Sequence, residues 1–348
     1  MKKIVALLLM TSLAIGIAGC GASGDGNSQG SSSSGSSASA ESASSGETGE
    51  SSGIKLGMCI PARDQFFSAL ERSASEKAAE LGIELQVVEA KDDISTQISQ
   101  IENFKNNGFT SVAVALVSTE SYQEALNAAG DMNVIFFNRI PSDTSCLDGE
   151  KTIYVGMPEI EAGGAQGEWL ADYFEESGEK DLNGVLFMGI LGHPSTGDRT
   201  DGAKAALEEA GYNINWVFED TAEFDRAKAM DKFTQFLGTG EDFDFVLSNN
   251  DEMALGVIEA CVSAGVEIDF PIIGVDGTET ACQAILDGTM SATVNQNPIL
   301  MGATTVECVQ DIENGVTPEG CNEDFVYYTA VEVVTPETAE AVRDSFAE

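Results

Sequence analysis

The chain is poor in the residues that most metal, catalytic and nucleic-acid sites require. Its 348 residues include one histidine, and 17 Lys and Arg stand against 58 Asp and Glu, for a formal net charge of −41. A single histidine excludes an HExxH zinc motif and most other histidine-based metal sites. Because phosphate binding depends on Lys and Arg, the composition also argues against a nucleic acid as partner. A neutral or cationic ligand suits this chain better than an anion.

Several motifs that mark enzymes and nucleotide-binding proteins are missing as well. The chain has no GxSxG nucleophile elbow, no GxxxxGK[ST] phosphate loop, no GxGxxG fingerprint and no CxxC pair. The paired carboxylates Asp92 and Asp93 stand before a predicted helix, where capping or solvation accounts for them. Six cysteines follow Cys20, and because six allow fifteen pairings, no disulfide is assigned. These absences favour a binding protein over an enzyme, and no cofactor is expected.

The first 53 residues have the composition of a targeting segment and a tether. Lys2 and Lys3 precede an apolar run over 4–17 that is too short to span a bilayer securely. The run ends in IAGC (17–20), which resembles the bacterial lipobox and implies cleavage before Cys20 and lipid attachment to it; an ordinary secretory cleavage site is the alternative. Residues 21–53 are almost wholly Ser, Gly, Ala and Glu, which predicts a disordered tether. We therefore expect a signal peptide over 1–20 and a folded part just outside a membrane.

From residue 54 onward, short apolar runs alternate with helical segments. Strands are predicted at 55–60, 84–88, 111–116, 133–137 and 152–155, and then at 185–188, 214–218, 243–247, 271–275 and 291–294. The helices predicted between them include those near 198–210, 226–237 and 251–264. Strands separated by helices of this length specify βαβ units and parallel sheets. One set ends near 155 and the other near 295, so the fold class is α/β with two doubly wound parallel-sheet domains.

A helix at 299–313 and a strand pair around 325–334 remain after the second set. They fit a return to the first domain followed by a last crossover. The predicted N-terminal lobe is therefore 54–156 with 298–328, and the predicted C-terminal lobe is 157–297 with 329–348. Three crossings, near 156–158, 296–298 and 328–330, form the expected hinge.

Polar side chains with a candidate role follow the ends of the predicted strands. In open α/β sheets, ligands bind at the carboxyl edge of the strands. Each of these residues alone is better explained as a helix cap or a turn residue, but five of them on one edge favour ligand contact. They are Asp64, Asn138, Asn250, Asp276 and Gln296. The segment GHPSTGDR (192–199), which holds the single histidine, follows another strand in the same way.

Most of residues 54–330 resembles one known family, and six separate motifs carry the resemblance. They are FFNRIPS (136–142), YVG (154–156) with Gln166-Gly167, GHP (192–194) with Arg199, DTAEFD (220–225), NNDEMA (249–254) and GVD (274–276). Together they resemble the galactose/glucose-binding proteins, which are type I periplasmic sugar-binding proteins of ABC transporters. The resemblance implies the type I periplasmic binding protein fold, with a sugar bound between two lobes.

The resemblance also implies a role for each matching residue. Phe66 and Phe224 match aromatics that stack on the two faces of the sugar. The residues that match hydrogen-bonding positions are Asp64, Asn138, His193, Arg199, Asn250, Asp276 and Gln296. A pyranose has apolar faces and a rim of hydroxyls, and it suits aromatic rings combined with planar polar side chains. The implied protein is a lipid-anchored monomer on the extracytoplasmic face of the membrane that captures galactose or glucose, closes on it and delivers it to a permease.

Four departures from the family pattern bear on the ligand. Ser195, the tenth candidate ligand contact, stands where the family has Asp; Asp198 either compensates for the missing carboxylate or forms a capping box with Ser195, which we favour. The family's calcium loop is reduced to DLNG (181–184), so no calcium is expected there. Phe224 stands where Trp is usual, and Gln296 where the enteric galactose binders have Asn.

Three alternatives stay open at this point. The first is a binding protein for another sugar, such as a pentose or a furanose signal. The second is a sensor that presents its ligand to a chemoreceptor and feeds no transporter. The third is an enzyme on the same scaffold.

Overall fold

The computed structural model describes residues 52–347, which form two α/β domains, each built around a six-stranded sheet. The strands, in chain order, are β1 (Lys55–Ile60), β2 (Glu84–Glu89), β3 (Ser111–Val114), β4 (Asn133–Phe137), β5 (Thr152–Gly156), β6 (Asp181–Met188), β7 (Asn213–Thr221), β8 (Phe245–Ser248), β9 (Ile272–Asp276), β10 (Ala292–Asn295), β11 (Val326–Tyr328) and β12 (Glu332–Val334). The predicted signal peptide with Cys20, and the predicted tether up to residue 51, lie outside the described residues.

Both sheets have the order expected of doubly wound domains. The first runs β2-β1-β3-β4-β5-β11, and all of its neighbouring strands are parallel. The second runs β7-β6-β8-β9-β10-β12, and its last strand pairs antiparallel with β10. Two parallel-sheet domains are therefore confirmed, with one antiparallel edge strand in the second.

Helices cover the faces of the two sheets. They are α1 (Gln65–Glu80), α2 (Ile94–Asn106), α3 (Tyr122–Ala129), α4 (Glu159–Glu175), α5 (Pro194–Glu209), α6 (Arg226–Leu237), α7 (Asp251–Ala264), α8 (Glu279–Leu286), α9 (Pro298–Glu313) and α10 (Ala339–Ser345). Every residue of β3 and of β9 is buried, as expected of central parallel strands that are covered on both faces. None of these helices within 52–347 is long and apolar enough to cross a bilayer.

Short polar residues begin several of the helices. Asp93, Asp225 and Asn250 each accept a hydrogen bond from the backbone N–H three residues later. Such caps satisfy backbone donors that have no partner within the helix. The capping interpretation of the pair at 92–93 is therefore confirmed for Asp93.

The chain passes between the two sheets three times, after β5, after β10 and after β11. α4 packs against α5 and the second sheet, whereas α9 packs against α1 and the first sheet. The strands predicted as a pair around 325–334 are thus divided, with β11 in the first sheet and β12 in the second. The residue numbers given for the domain boundaries stay a prediction.

The predicted start of β6 was wrong. The strand begins at Asp181, so residues 181–184, interpreted as the remnant of a loop, form its first half. They pair in parallel register with β7, and the side chains of Asn213 and Asn215 donate to Asp181 and Asn183 at 2.8 and 2.9 Å. These polar residues can lie in a strand because side chains on the neighbouring strand satisfy their hydrogen bonds. Among residues 52–347, no group of three or more His, Cys, Asp or Glu side chains is placed to hold a metal ion.

Candidate functional site

Loops at the carboxyl ends of strands from both sheets meet around one cavity. The structure brings all ten residues of the predicted ligand site to its lining: Asp64, Phe66, Asn138, His193, Ser195, Arg199, Phe224, Asn250, Asp276 and Gln296. Phe67 and Arg139 complete the lining. That these residues contact a ligand stays a prediction, but their convergence from distant parts of the chain is a property of the fold.

A larger groove adjoins this cavity and shares Asp64 with it. It opens more widely to solvent, and charged side chains, two of them arginines held in ion pairs, line much of it. Arg226 donates to Glu252 at 2.7 and 2.9 Å, and Arg63 donates to Glu71 at 2.9 Å. We therefore place the candidate site in the smaller cavity, where aromatic rings and buried polar groups converge.

Arg199 is the most deeply buried cation of the site. Its side chain is 4% exposed, and its Nε donates to Glu159 Oε2 at 2.6 Å. Its Nη1 donates to the Asn249 carbonyl at 2.7 Å and lies 3.9 Å from Asp276 Oδ1. The guanidinium is thus fixed between two carboxylates, which is the arrangement that a buried charge needs.

Ser195 does not form the predicted capping box with Asp198. The helix α5 begins at Pro194, four residues before the predicted start near 198, and His193 is its N-cap. The Ser195 hydroxyl donates instead to Glu159 Oε1 at 2.9 Å. The prediction of a capping box was wrong because the Ser195 hydroxyl, which was expected to take part in local capping, donates its hydrogen bond to a buried carboxylate of another helix.

His193 presents a hydrogen-bond donor to the cavity. Its Nδ1 accepts from the Ser195 backbone N–H at 3.3 Å, so the proton of the neutral ring lies on Nε2. That Nε2 is buried and has no hydrogen-bond partner in the described part of the chain. Burial, together with the positive charges of Arg139 and Arg199, lowers the pKa of His193 to about 3. The ring is therefore neutral at pH 7, with an unused N–H at the site.

Phe224 and Phe66 supply apolar walls. Phe224 has a positive φ of 61°, and its ring lies against the backbone of Gly189, where a Cβ would come within 2.0 Å of it. The edge of its ring meets His193, with ring centroids 5.9 Å apart. Phe66 is buried on the opposite domain and packs at right angles to Phe67, with centroids 5.4 Å apart. Only glycine at 189 allows Phe224 this position.

A chain of side-chain hydrogen bonds joins the two walls. Asn138, which directly follows β4 and has a φ of 58°, donates from Nδ2 to Gln296 Oε1 at 3.2 Å. Gln296 in turn donates to Asp276 Oδ1 at 2.5 Å. Asp276 ends β9 and is 6% exposed; its burial and the neighbouring Asp251 raise its pKa well above the ordinary value, against the opposing effect of Arg199. The polar groups of both sheets thus form one network.

Asp64 and Asn250 both cap helices and line the cavity. Asp64 Oδ1 accepts from the Phe67 N–H at 2.8 Å, and Asn250 Oδ1 accepts from the Met253 N–H at 3.0 Å. Asn250 Nδ2 also approaches the Phe224 carbonyl at 3.5 Å. The capping and the ligand interpretations of these residues are therefore compatible.

Sequence reasoning missed three residues of the site. Arg139 lines the cavity, donates to the carbonyls of Leu116 and Val117 at 3.1 and 3.2 Å, and follows Asn138 directly in the FFNRIPS motif. Phe67 directly follows the predicted Phe66, so its position next to a predicted site residue was again the only indication in the sequence. Glu159 lies behind the cavity, and no motif pointed to it.

Comparisons with known proteins give one family. The sequence profile of the periplasmic binding protein domain matches residues 56–316. A D-galactose/methyl-galactoside binding periplasmic protein of Haemophilus influenzae is 30% identical over 273 residues, which cover 75% of this chain and 82% of that protein. A putative rhizopine-binding protein of Rhizobium meliloti is 29% identical over 270 residues, 76% of this chain and 86% of that protein.

A solved structure gives the same match in three dimensions. An ABC transporter solute-binding protein from Bacillus halodurans, with bound myo-inositol, superposes with a TM-score of 0.74 at 30% identity. The alignment covers 85% of this chain and 99% of that one. The described part of the chain therefore accounts for nearly the whole of that neighbour.

Proposed function

This chain belongs to the periplasmic binding protein family, and we propose that it is the sugar-binding component of an ABC transporter. It binds its ligand in the cavity between the two domains and acts by capture and delivery, without chemical conversion. The observation that carries the proposal is the lining of that cavity, where aromatic rings from both domains enclose polar side chains from both domains.

The chemistry of the lining matches that of a sugar. Phe66 and Phe224 can pack on the apolar C–H faces of a ring. Arg199 and the N–H of His193 donate to ligand oxygens, whereas Asp276 accepts from ligand hydroxyls. Hydrogen bonds to charged groups are stronger than neutral ones, and a missing hydroxyl would leave a buried charge unpaired at a cost of about 1–3 kcal/mol or more.

Hydrogen bonds between the two domains support a mechanism in which they close around the ligand. Gln65, at the start of α1, accepts from the Thr280 hydroxyl at 2.6 Å and donates to Glu252 at 3.3 Å. The hydrogen bond of Asn138 to Gln296 joins the domains a second time. A ligand that touches both walls stabilises this closed arrangement over an open one, because only the closed state provides both sets of contacts.

We propose galactose or glucose as the ligand, on the family resemblance of the binding motifs and the 30% identity to the galactoside-binding relative. The substitution at Ser195 keeps a second candidate open. The Bacillus halodurans neighbour holds myo-inositol, another six-membered ring with a rim of hydroxyls, so a cyclitol also fits the stacking arrangement. A pentose or a furanose signal is the remaining possibility.

Location and partners are proposed from the sequence. The lipobox-like segment supports a protein anchored through Cys20 on the extracytoplasmic face of the membrane, with 21–53 as its tether. Its partner is then the permease of an ABC transporter, and the chain acts as a monomer. Presentation of the ligand to a chemoreceptor is the second candidate role.

A calorimetric titration of the folded chain tests the proposal. The panel is D-galactose, D-glucose, D-ribose, D-xylose and myo-inositol, and each ligand is recovered afterwards to check that it is chemically unchanged. Micromolar affinity, or about −8 kcal/mol, for galactose or glucose is the expected result. Binding of another panel member alone would replace the proposed ligand, and no binding to any of them would contradict the proposed class.

A further inference from the structure

Glu159 is a buried carboxylate that stands behind the cavity without lining it. It is the first residue of α4, directly after the first crossing between the sheets, and its side chain is 5% exposed. Both of its oxygens are engaged, one by the Ser195 hydroxyl and the other by Arg199 Nε, at 2.9 and 2.6 Å. Glu159 therefore acts on a ligand only through residues that line the cavity.

The role of Glu159 depends on the charged side chains that line the cavity. The lining holds two arginines, Arg139 and Arg199, and two carboxylates, Asp64 and Asp276. Desolvation raises the pKa of both carboxylates, so the lining alone does not firmly offset its two arginines, and the neutral ring of His193 adds no charge. Glu159 supplies a further negative charge from behind the lining, where it pairs with Arg199.

Glu159 is also the group that balances Arg199. The other buried carboxylate near this guanidinium is Asp276, at 3.9 Å, beyond hydrogen-bond distance. Burial raises the pKa of Asp276, so it holds its negative charge less readily than an ordinary carboxylate. Asp198 also faces Arg199 electrostatically but is exposed on α5. Without Glu159, the positive charge of Arg199 would be available to a ligand.

We propose that Glu159 is the positioning residue that makes this cavity select uncharged sugars over sugars that carry a carboxylate or a phosphate. The inference rests on the proposed sugar-binding function. Glu159 neutralises Arg199 and fixes its Nε, which leaves the guanidinium to donate to hydroxyl oxygens. An anionic ligand finds this cation already paired with Glu159.

The first test uses no sugar. Glu159→Gln keeps the shape of the side chain and removes its charge, and Glu161→Gln removes the same charge from an exposed position on α4. Thermal unfolding is followed in sodium formate and in sodium chloride at equal ionic strength. Formate is expected to raise the Tm of Glu159→Gln by about 2 °C or more, because it pairs with the freed Arg199, and to leave the wild type and Glu161→Gln unchanged. Equal response of the three proteins to formate would overturn the inference.

The second test uses two matched pairs of ligands, D-galactose with D-galacturonate and D-glucose with D-glucuronate. The wild type is expected to bind the acid at least about a hundredfold more weakly than the neutral sugar, and Glu159→Gln to narrow that ratio at least about tenfold. Glu159→Asp is expected to restore part of the discrimination. An unchanged ratio in Glu159→Gln would overturn the inference.

The two tests separate this inference from the function on which it rests. A wild type that binds neither neutral sugar contradicts the galactose or glucose proposal, and the formate response then decides the role of Glu159 alone. If Glu159→Gln fails to fold, the titrations of the wild type still test the proposed selection. Equal affinity of the wild type for the neutral sugar and its acid would overturn it.

Discussion

The two walls of the cavity are built differently. On the first domain, Asp64 and Arg139 are held by backbone groups, through the cap of α1 and the carbonyls that follow β3. On the second domain, Arg199 and Ser195 are held by the side chain of Glu159, in an ion-paired network that is almost fully buried. The charged network of the second wall is thus buried in its domain, whereas Asp64 of the first wall is exposed and Arg139 is partly buried. Changes in the second wall should affect both stability and binding, and changes in the first should affect binding more than stability.

The largest effect is expected from Arg199→Met. It leaves Glu159 buried without its partner, which should lower the free energy of unfolding by about 3–5 kcal/mol and abolish sugar binding. Arg139→Met, on the first wall, leaves only carbonyls unpaired and should cost about 2 kcal/mol or less. Chemical denaturation of both variants measures the comparison. Equal destabilisation by the two substitutions would contradict the difference between the walls.

A smaller effect is expected from removing the hydrogen bonds of Gln65, which join the two domains in the groove beside the cavity. Gln65→Ala removes the hydrogen bonds to Thr280 and Glu252, while Gln65 does not line the cavity. The dissociation rate of the bound sugar should rise about fivefold with little change in unfolding. Stopped-flow fluorescence measures this rate, and Ser68→Ala, one turn along the same helix, is the matched control. An unchanged rate would show that this contact does not hold the closed state.

The smallest effect is expected at the aromatic wall of the second domain. Phe224→Trp enlarges the stacking surface and should tighten sugar binding by about threefold, whereas Phe224→Leu removes the ring and should weaken it. Calorimetry compares the two variants with the wild type. Tighter binding by the Leu variant than by the Trp variant would argue against stacking on this side chain.

Much of the fold could be predicted from local pattern. The βαβ alternation predicted both sheets, and the helices Arg226–Leu237 and Asp251–Ala264 begin and end where the sequence placed them. Asp225 and Asn250, which cap these helices, are strong local signals for a helix start. The ten predicted site residues converge because the carboxyl ends of parallel strands meet at one edge of a sheet.

The remaining features depend on contacts between distant residues. Glu159 precedes Ser195 by 36 positions, and no local pattern shows that these side chains meet. The same hydrogen bond engages the Ser195 hydroxyl, so the predicted capping box does not form. The beginning of β6 was missed because Asp181 and Asn183 have loop-like residue types, and only their partners on β7 make a strand of them.

The most direct test of the account compares one carboxylate from each wall, Asp64→Ala and Asp276→Ala, by calorimetric titration with the sugar that the wild type binds best. If a ligand is held between both walls, each substitution abolishes measurable binding while circular dichroism shows that the protein remains folded. Wild-type affinity in either variant would contradict the claim that both walls hold the ligand.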